Sequence, residues 1–110
     1  METNDAVQAL AALAQETRLN IFRLLVEQGP KGHPAGAIGE RLGIPNATLS
    51  FHLKELSRAG LIAARQQGRF LIYSADFAAM KRLLGFLTEN CCRGETCAAE
   101  QTQTGCCDQS

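Results

Sequence analysis

The feature that most constrains this chain lies in residues 37–60, where two apolar-periodic segments are separated by only Gly43, Ile44 and Pro45. Residues 37–42 read as a brief helix stopped by Gly43. A new helix starts around Pro45 and Asn46 and sets Leu49, Leu53 and Leu56 on one face at spacings of four and three. Asn46 is of a residue type suited to cap it. The chain is thus predicted to make a tight turn between two helices, the second presenting a polar face away from its leucines.

The flanking elements complete a domain. Up to about Ala14, Val7, Leu10, Ala11 and Ala14 share a helical face, and a second helix over residues 16–27 buries Ile21, Phe22, Leu25 and Val26 before Gly29 and Pro30 end it. Residues 29–36 read as loop from their Gly and Pro content. Past Gly60, residues 61–66 and 69–74 are two short strands, with Gln67 and Gly68 as a tight hairpin turn. A last helix runs from Asp76 to about Asn90 and carries Phe77, Met80, Leu84 and Leu87. The expected fold is mainly α with a β-hairpin wing, a winged helix-turn-helix, over residues 1–90. Residues 91–110 form a cysteine-rich tail.

With 110 residues, 45% of them hydrophobic, the chain suffices for one modest core. All five cysteines lie beyond residue 90, an odd number that cannot staple the core, so burial alone must fold it. No apolar run matches a membrane span, and Glu2 and Asp5 stand where a secretory signal needs basic residues, so a cytoplasmic location is expected. The formal net charge is zero, but it is unevenly spread. Residues 46–74 hold Lys54, Arg58, Arg65 and Arg69 against Glu55 alone, whereas residues 88–110 hold Arg93 against Glu89, Glu95, Glu100 and Asp108. A basic middle segment suits a phosphate backbone. There is no Gly-rich phosphate loop and no Ser/His/Asp constellation, so no enzymatic activity is expected.

The run Gly39-Glu40-Arg41-Leu42-Gly43-Ile44-Pro45-Asn46-Ala47-Thr48-Leu49-Ser50-Phe51-His52-Leu53-Lys54-Glu55-Leu56, followed by Ala59-Gly60-Leu61-Ile62, resembles the DNA-reading segment of the ArsR/SmtB repressors. Glu16-Thr17-Arg18-Leu19-Asn20-Ile21-Phe22-Arg23-Leu24-Leu25 resembles the family's second helix, and with Gly68-Arg69 in the wing the likeness spans roughly residues 10–90. The resemblance implies a homodimer on operator DNA, joined through the first and last helices. Val7, Leu10, Phe77, Met80, Leu84 and Leu87 offer apolar surface for that contact, or else complete the monomer core. Candidate DNA-binding residues are Asn46, Thr48, Ser50, His52 and Lys54 on the helix and Arg65, Gln67 and Arg69 on the hairpin, with Gln66 beside them. Asn46 is alternatively a cap, His52 alternatively a core-edge residue, and the arginines alternatively aids to solubility. Phe51 departs from the polar or basic residue often found there, and either touches a thymine methyl or packs on the wing.

Pro34 and Gly36 stand where the family's two-cysteine inducer motif would lie, so that site is absent. Instead the chain offers Cys91-Cys92, Cys97 and Cys106-Cys107, resembling a subgroup that senses arsenite through a vicinal pair plus a third cysteine after the last helix. Trivalent arsenic takes three thiolates in a pyramid, and soft sulfur suits it over harder ions. Cys91, Cys92 and Cys97 are the candidate ligands, arsenite the candidate inducer and antimonite a second one. Methylated arsenicals on two thiolates, zinc or cadmium with a fourth donor, and thiol oxidation stay open, as does a metalloid-sequestering protein with no DNA function.

Overall fold

The computed structural model describes residues 1–94. Helix α1 spans Thr3–Leu13 and is started by reciprocal capping between Glu2 and Asp5. Its buried stripe is Ala6, Ala9 and Ala12, spaced by three, and these small side chains let it lie against α2 and α4. The larger Val7 and Leu10 point away from the core and are exposed, so they do not complete the monomer core, the alternative to a partner contact. Helix α2, Glu16–Gln28, is capped by the Gln15 side chain, which accepts from the Arg18 amide at 2.9 Å, and buries Ile21, Phe22, Leu24 and Leu25.

After a 3-10 turn at Gly29–Lys31, the segment expected to be loop contributes a short strand, β1, at His33–Pro34. It pairs antiparallel with β3, His33 opposite Tyr73 and Pro34 opposite Ile72. Two residues carry too little periodicity to be seen in sequence, and it is the approach of the chain at Gly32 that docks them. A Cβ on Gly32 would stand 2.5 Å from the Tyr73 carbonyl oxygen, and its φ of 76° also favours glycine.

Helix α3, Ala35–Leu42, begins two residues earlier than its apolar pattern implied and ends at Gly43. Helix α4, Asn46–Arg58, follows at once. The turn is tight because Gly39 is buried beneath it: a Cβ there would meet the Ile44 carbonyl at 3.1 Å and a Leu49 methyl at 3.2 Å. Strands β2, Ile62–Gln67, and β3, Phe70–Ala75, form the hairpin in a sheet of order β1-β3-β2. Gln67 pairs with Phe70, so Gly68 and Arg69 make the turn, one residue later than expected. The positive φ falls on Gly68 alone, the arrangement in which glycine takes the first of two turn positions.

The Asp76 side chain caps α5, Phe77–Thr88, accepting from the Ala79 amide at 3.0 Å. This helix stops two residues short of the expected Asn90, which adopts a left-handed φ of 59°. A 3-10 turn at Cys91–Gly94 follows. Ile21, Leu25, Ile38, Leu56 and Leu61 are the most deeply buried large side chains and tie α2, α3 and α4 to the start of the wing. Each contributes about 1.5–3 kcal/mol by burial. Among the described residues no helix is long and apolar enough to cross a membrane.

Candidate nucleic-acid interface and thiol pair

Helix α4 divides as its leucine spacing implies. Leu49, Leu53 and Leu56 are buried, while Asn46, Ala47, Thr48, Ser50, Phe51 and Lys54 are exposed. The helix thereby keeps one side on the core and offers polar side chains on the other, as insertion into a groove requires. Asn46 is the first helical residue and makes no capping bond. Pro45 occupies the cap position, and its fixed φ is compatible with helix entry, so capping does not account for Asn46.

His52 departs from the rest of the set. It is only 8% exposed, and its Nδ1 lies 3.3 Å from Arg18 Nη1, with Arg18 Nε donating to the Ala12 carbonyl at 2.7 Å. One guanidinium thus joins the end of α1, the start of α2 and the middle of α4. A donating arginine needs an unprotonated Nδ1, and burial first, then the Arg18 charge, hold the imidazole below its ordinary pKa of 6.5. The core-edge alternative therefore describes His52, which acts on α4 from inside. Sequence reading missed Arg18, since nothing in its spacing shows that it reaches a residue 34 positions away.

On the wing, Arg65, Gln66, Gln67 and Arg69 are all exposed. Arg65 Nη2 donates to the Lys31 carbonyl at 2.8 Å, tying β2 to the 3-10 turn, and its guanidinium keeps further donors for a phosphate. Gln66 donates to the Gly68 carbonyl at 3.0 Å and so braces the turn that presents Arg69. Arg58 is paired with Glu55 at 3.0 Å, which leaves Lys54, Arg65 and Arg69 as the cations of this region without a carboxylate partner among the described residues. The wing also carries Phe70, exposed at its tip, which sequence reading did not single out.

The six apolar residues assigned to a partner contact separate into two groups. Val7 and Leu10 on α1 and Leu84 and Leu87 on α5 are exposed, Leu84 by 54%, whereas Phe77 and Met80 pack against the core. Beyond α5, the Cys91 and Cys92 sulfurs lie 3.4 Å apart, Cys91 half-buried and Cys92 exposed with a left-handed φ of 57°. Because α5 has ended at Thr88, Cys91 lies in the following 3-10 turn rather than on the helix that carries Leu84 and Leu87. Among the described residues no three His, Cys, Asp or Glu side chains converge as a metal site. Cys97, Cys106 and Cys107 lie outside the described residues.

This arrangement has known counterparts. Residues 13–65 match the family model described as a helix-turn-helix domain. The transcriptional activator HlyU of Vibrio cholerae is 30% identical over 95 residues, covering 84% of this chain and 85% of that protein. The chain belongs to the ArsR/HlyU-type winged helix-turn-helix transcriptional regulators. An ArsR-like transcriptional regulator from Rhodococcus superposes with a TM-score of 0.72 at 26% identity over 82% of each chain. The homodimeric winged helix-turn-helix DNA-binding domain of a Mycobacterium bovis protein does so with 0.63 at 27% identity, over 84% of this chain and 85% of that one. Regulators of this type are DNA-binding proteins rather than enzymes.

Proposed function

We propose that this regulator is a homodimeric, arsenite-responsive repressor, which binds operator DNA through α4 and the wing and releases it when trivalent arsenic is held by Cys91, Cys92 and Cys97. The observation that carries the reading is the pair of sulfurs 3.4 Å apart at the end of α5. Two soft donors side by side fit a small thiophilic centre, and a third thiolate completes its pyramid. Antimonite, with the same preference for thiolates, is a second inducer. Val7, Leu10, Leu84 and Leu87 form the two-fold contact, and their exposure in the single chain supports it.

The coupling runs through the end of α5. Cys92 holds a left-handed backbone that costs a non-glycine residue about 1 kcal/mol or more, so the turn is ready to rearrange when its thiolate takes a ligand. Drawing Cys97 to the pair alters the chain where α5 ends, beside the apolar stripe of the dimer contact. That contact sets the separation of two recognition helices, which must meet half-sites about one DNA turn apart. The ion itself needs no contact with DNA.

X-ray absorption at the arsenic edge on the full-length chain tests the site. Three sulfur neighbours are expected, unchanged when the chain is truncated after Glu100. Two sulfurs would instead identify a two-thiolate site of the kind a methylated arsenical uses, and loss of a sulfur on truncation would bring Cys106 or Cys107 into the ligand set.

A further inference from the structure

The outer face of α4 carries an apolar centre that phosphate binding does not explain. Phe51 is 55% exposed, with Ala47 four residues before it, Thr48 three before and Lys54 three after, so three methyl- or ring-bearing side chains adjoin on a face otherwise polar. More than half of the ring-bearing residue is open to solvent. The ring approaches that of His52 edge-on, centroids 5.5 Å apart and planes at 64°. His52 is itself held by Arg18. A ring that already rests against a neighbouring side chain loses less freedom when it meets a partner than an unsupported one.

The major groove has a single strongly apolar group, the 5-methyl of thymine, and phenylalanine is among the side chains that contact it. We infer that Phe51 is a specificity-determining residue that reads a thymine methyl in each half-site, with Ala47 and the Thr48 methyl widening the contact. The inference rests on α4 being the DNA-reading helix. It adds that part of the operator is chosen by apolar contact, beside the hydrogen bonds available to Asn46, Ser50 and Lys54.

The test uses the full-length chain and a duplex that it enriches from a randomised pool, then the same duplex with each thymine in turn replaced by deoxyuridine, which lacks only the methyl. Burial of one methyl corresponds to about fourfold in affinity, hence about fifteenfold when both half-sites are changed. The wild type is expected to show that loss at one thymine per half-site. Phe51→Ala should bind the parent duplex more weakly by a similar factor, be indifferent to deoxyuridine and unfold at the wild-type temperature, and Phe51→Leu should recover part of the methyl preference. Phe70→Ala is the control on the wing: any minor-groove contact meets no methyl there, so this variant keeps the full deoxyuridine penalty. A wild type indifferent to every deoxyuridine, or a Phe51→Ala variant that retains the penalty, overturns the inference while leaving DNA binding through α4 intact. Failure to enrich any duplex overturns both.

Discussion

Arg18→Ala should be among the most damaging single changes at a partly exposed position, because one side chain serves two partners on different helices. Its Nε bond to the Ala12 carbonyl is short, 2.7 Å, and charged donors contribute about 1.5–3 kcal/mol each in such settings. The Nη1 contact to His52 Nδ1 is longer, 3.3 Å, and falls toward the low end of an ordinary bond at about 0.5–1 kcal/mol. Together they set an expected loss of about 2–4 kcal/mol at pH values near 8. For a domain of this size that lowers the unfolding midpoint by roughly 10–30 °C, compared at one protein concentration because self-association moves the midpoint. The loss must also depend on pH. His52 is held below 6.5 by burial and then by Arg18, so in the wild type its contribution is complete above 6.5 and disappears as pH falls through the folded-state value, where the unfolded chain has already taken the proton. In the variant one of those two causes is gone and no donor needs Nδ1 bare, so acid costs it less. The gap between the two proteins, read by urea unfolding across pH 8 to about 5, should narrow on the acid side. A gap under about 0.5 kcal/mol, or one that stays constant with pH, would refute the bridging role.

Gly32→Ala places a Cβ 2.5 Å from the Tyr73 carbonyl oxygen on a backbone with φ of 76°, so urea unfolding should register a loss of about 2 kcal/mol or more, with β1 detached from β3. Leu84→Glu removes about 1 kcal/mol of apolar burial from each of two symmetric copies and puts a carboxylate in its place, so sedimentation should show the dimer dissociation constant rising at least about thirtyfold with helical content retained. Arg69→Ala should weaken operator binding and reduce the slope of log affinity against log salt by about one, as loss of a phosphate contact does, whereas Ser50→Ala should weaken binding with the slope unchanged. Neither should alter thermal unfolding, since both side chains are exposed.

The sequence made the helix-turn-helix legible because its signals are local. Leucines at spacings of four and three, a glycine before and a glycine after, define α4 without reference to anything else, and the structure places all three leucines inside. The hairpin was visible for the same reason, displaced by one residue because Gln67 has enough extended character to pair and Gly68-Arg69 suffices for the turn. What stayed hidden depends on distant partners. Strand β1 exists only because Gly32 lets the chain approach β3, and His52 is drawn inward by an arginine on another helix. On α1 periodicity left two readings open for Val7 and Leu10, and what it did not show is that the monomer core takes the alanine face, whose small side chains permit close packing. The Val7 and Leu10 face is left exposed, as a partner contact requires. At the candidate site the cysteine pair was legible from composition, but the end of α5 at Thr88 was not, because Glu89 and Asn90 are of residue types compatible with a helix and only the backbone, extended at Glu89 with ψ of 133° and left-handed at Asn90, shows that it has stopped.

The measurement that bears most directly on the central claim is fluorescence anisotropy of a labelled operator duplex titrated with the full-length chain, with and without arsenite, for the wild type and for Cys91→Ser, Cys92→Ser and Cys97→Ser. A tenfold loss of affinity requires only about 1.4 kcal/mol of coupling between the two sites, within the usual range, and linkage demands that operator DNA weaken arsenite binding by the same factor. The account predicts that arsenite releases the wild type, and that each serine variant binds DNA at wild-type affinity but is held through the arsenite addition. Full release from the Cys97→Ser variant would contradict the three-thiolate site, and DNA affinity unmoved by arsenite in the wild type would contradict arsenite control altogether.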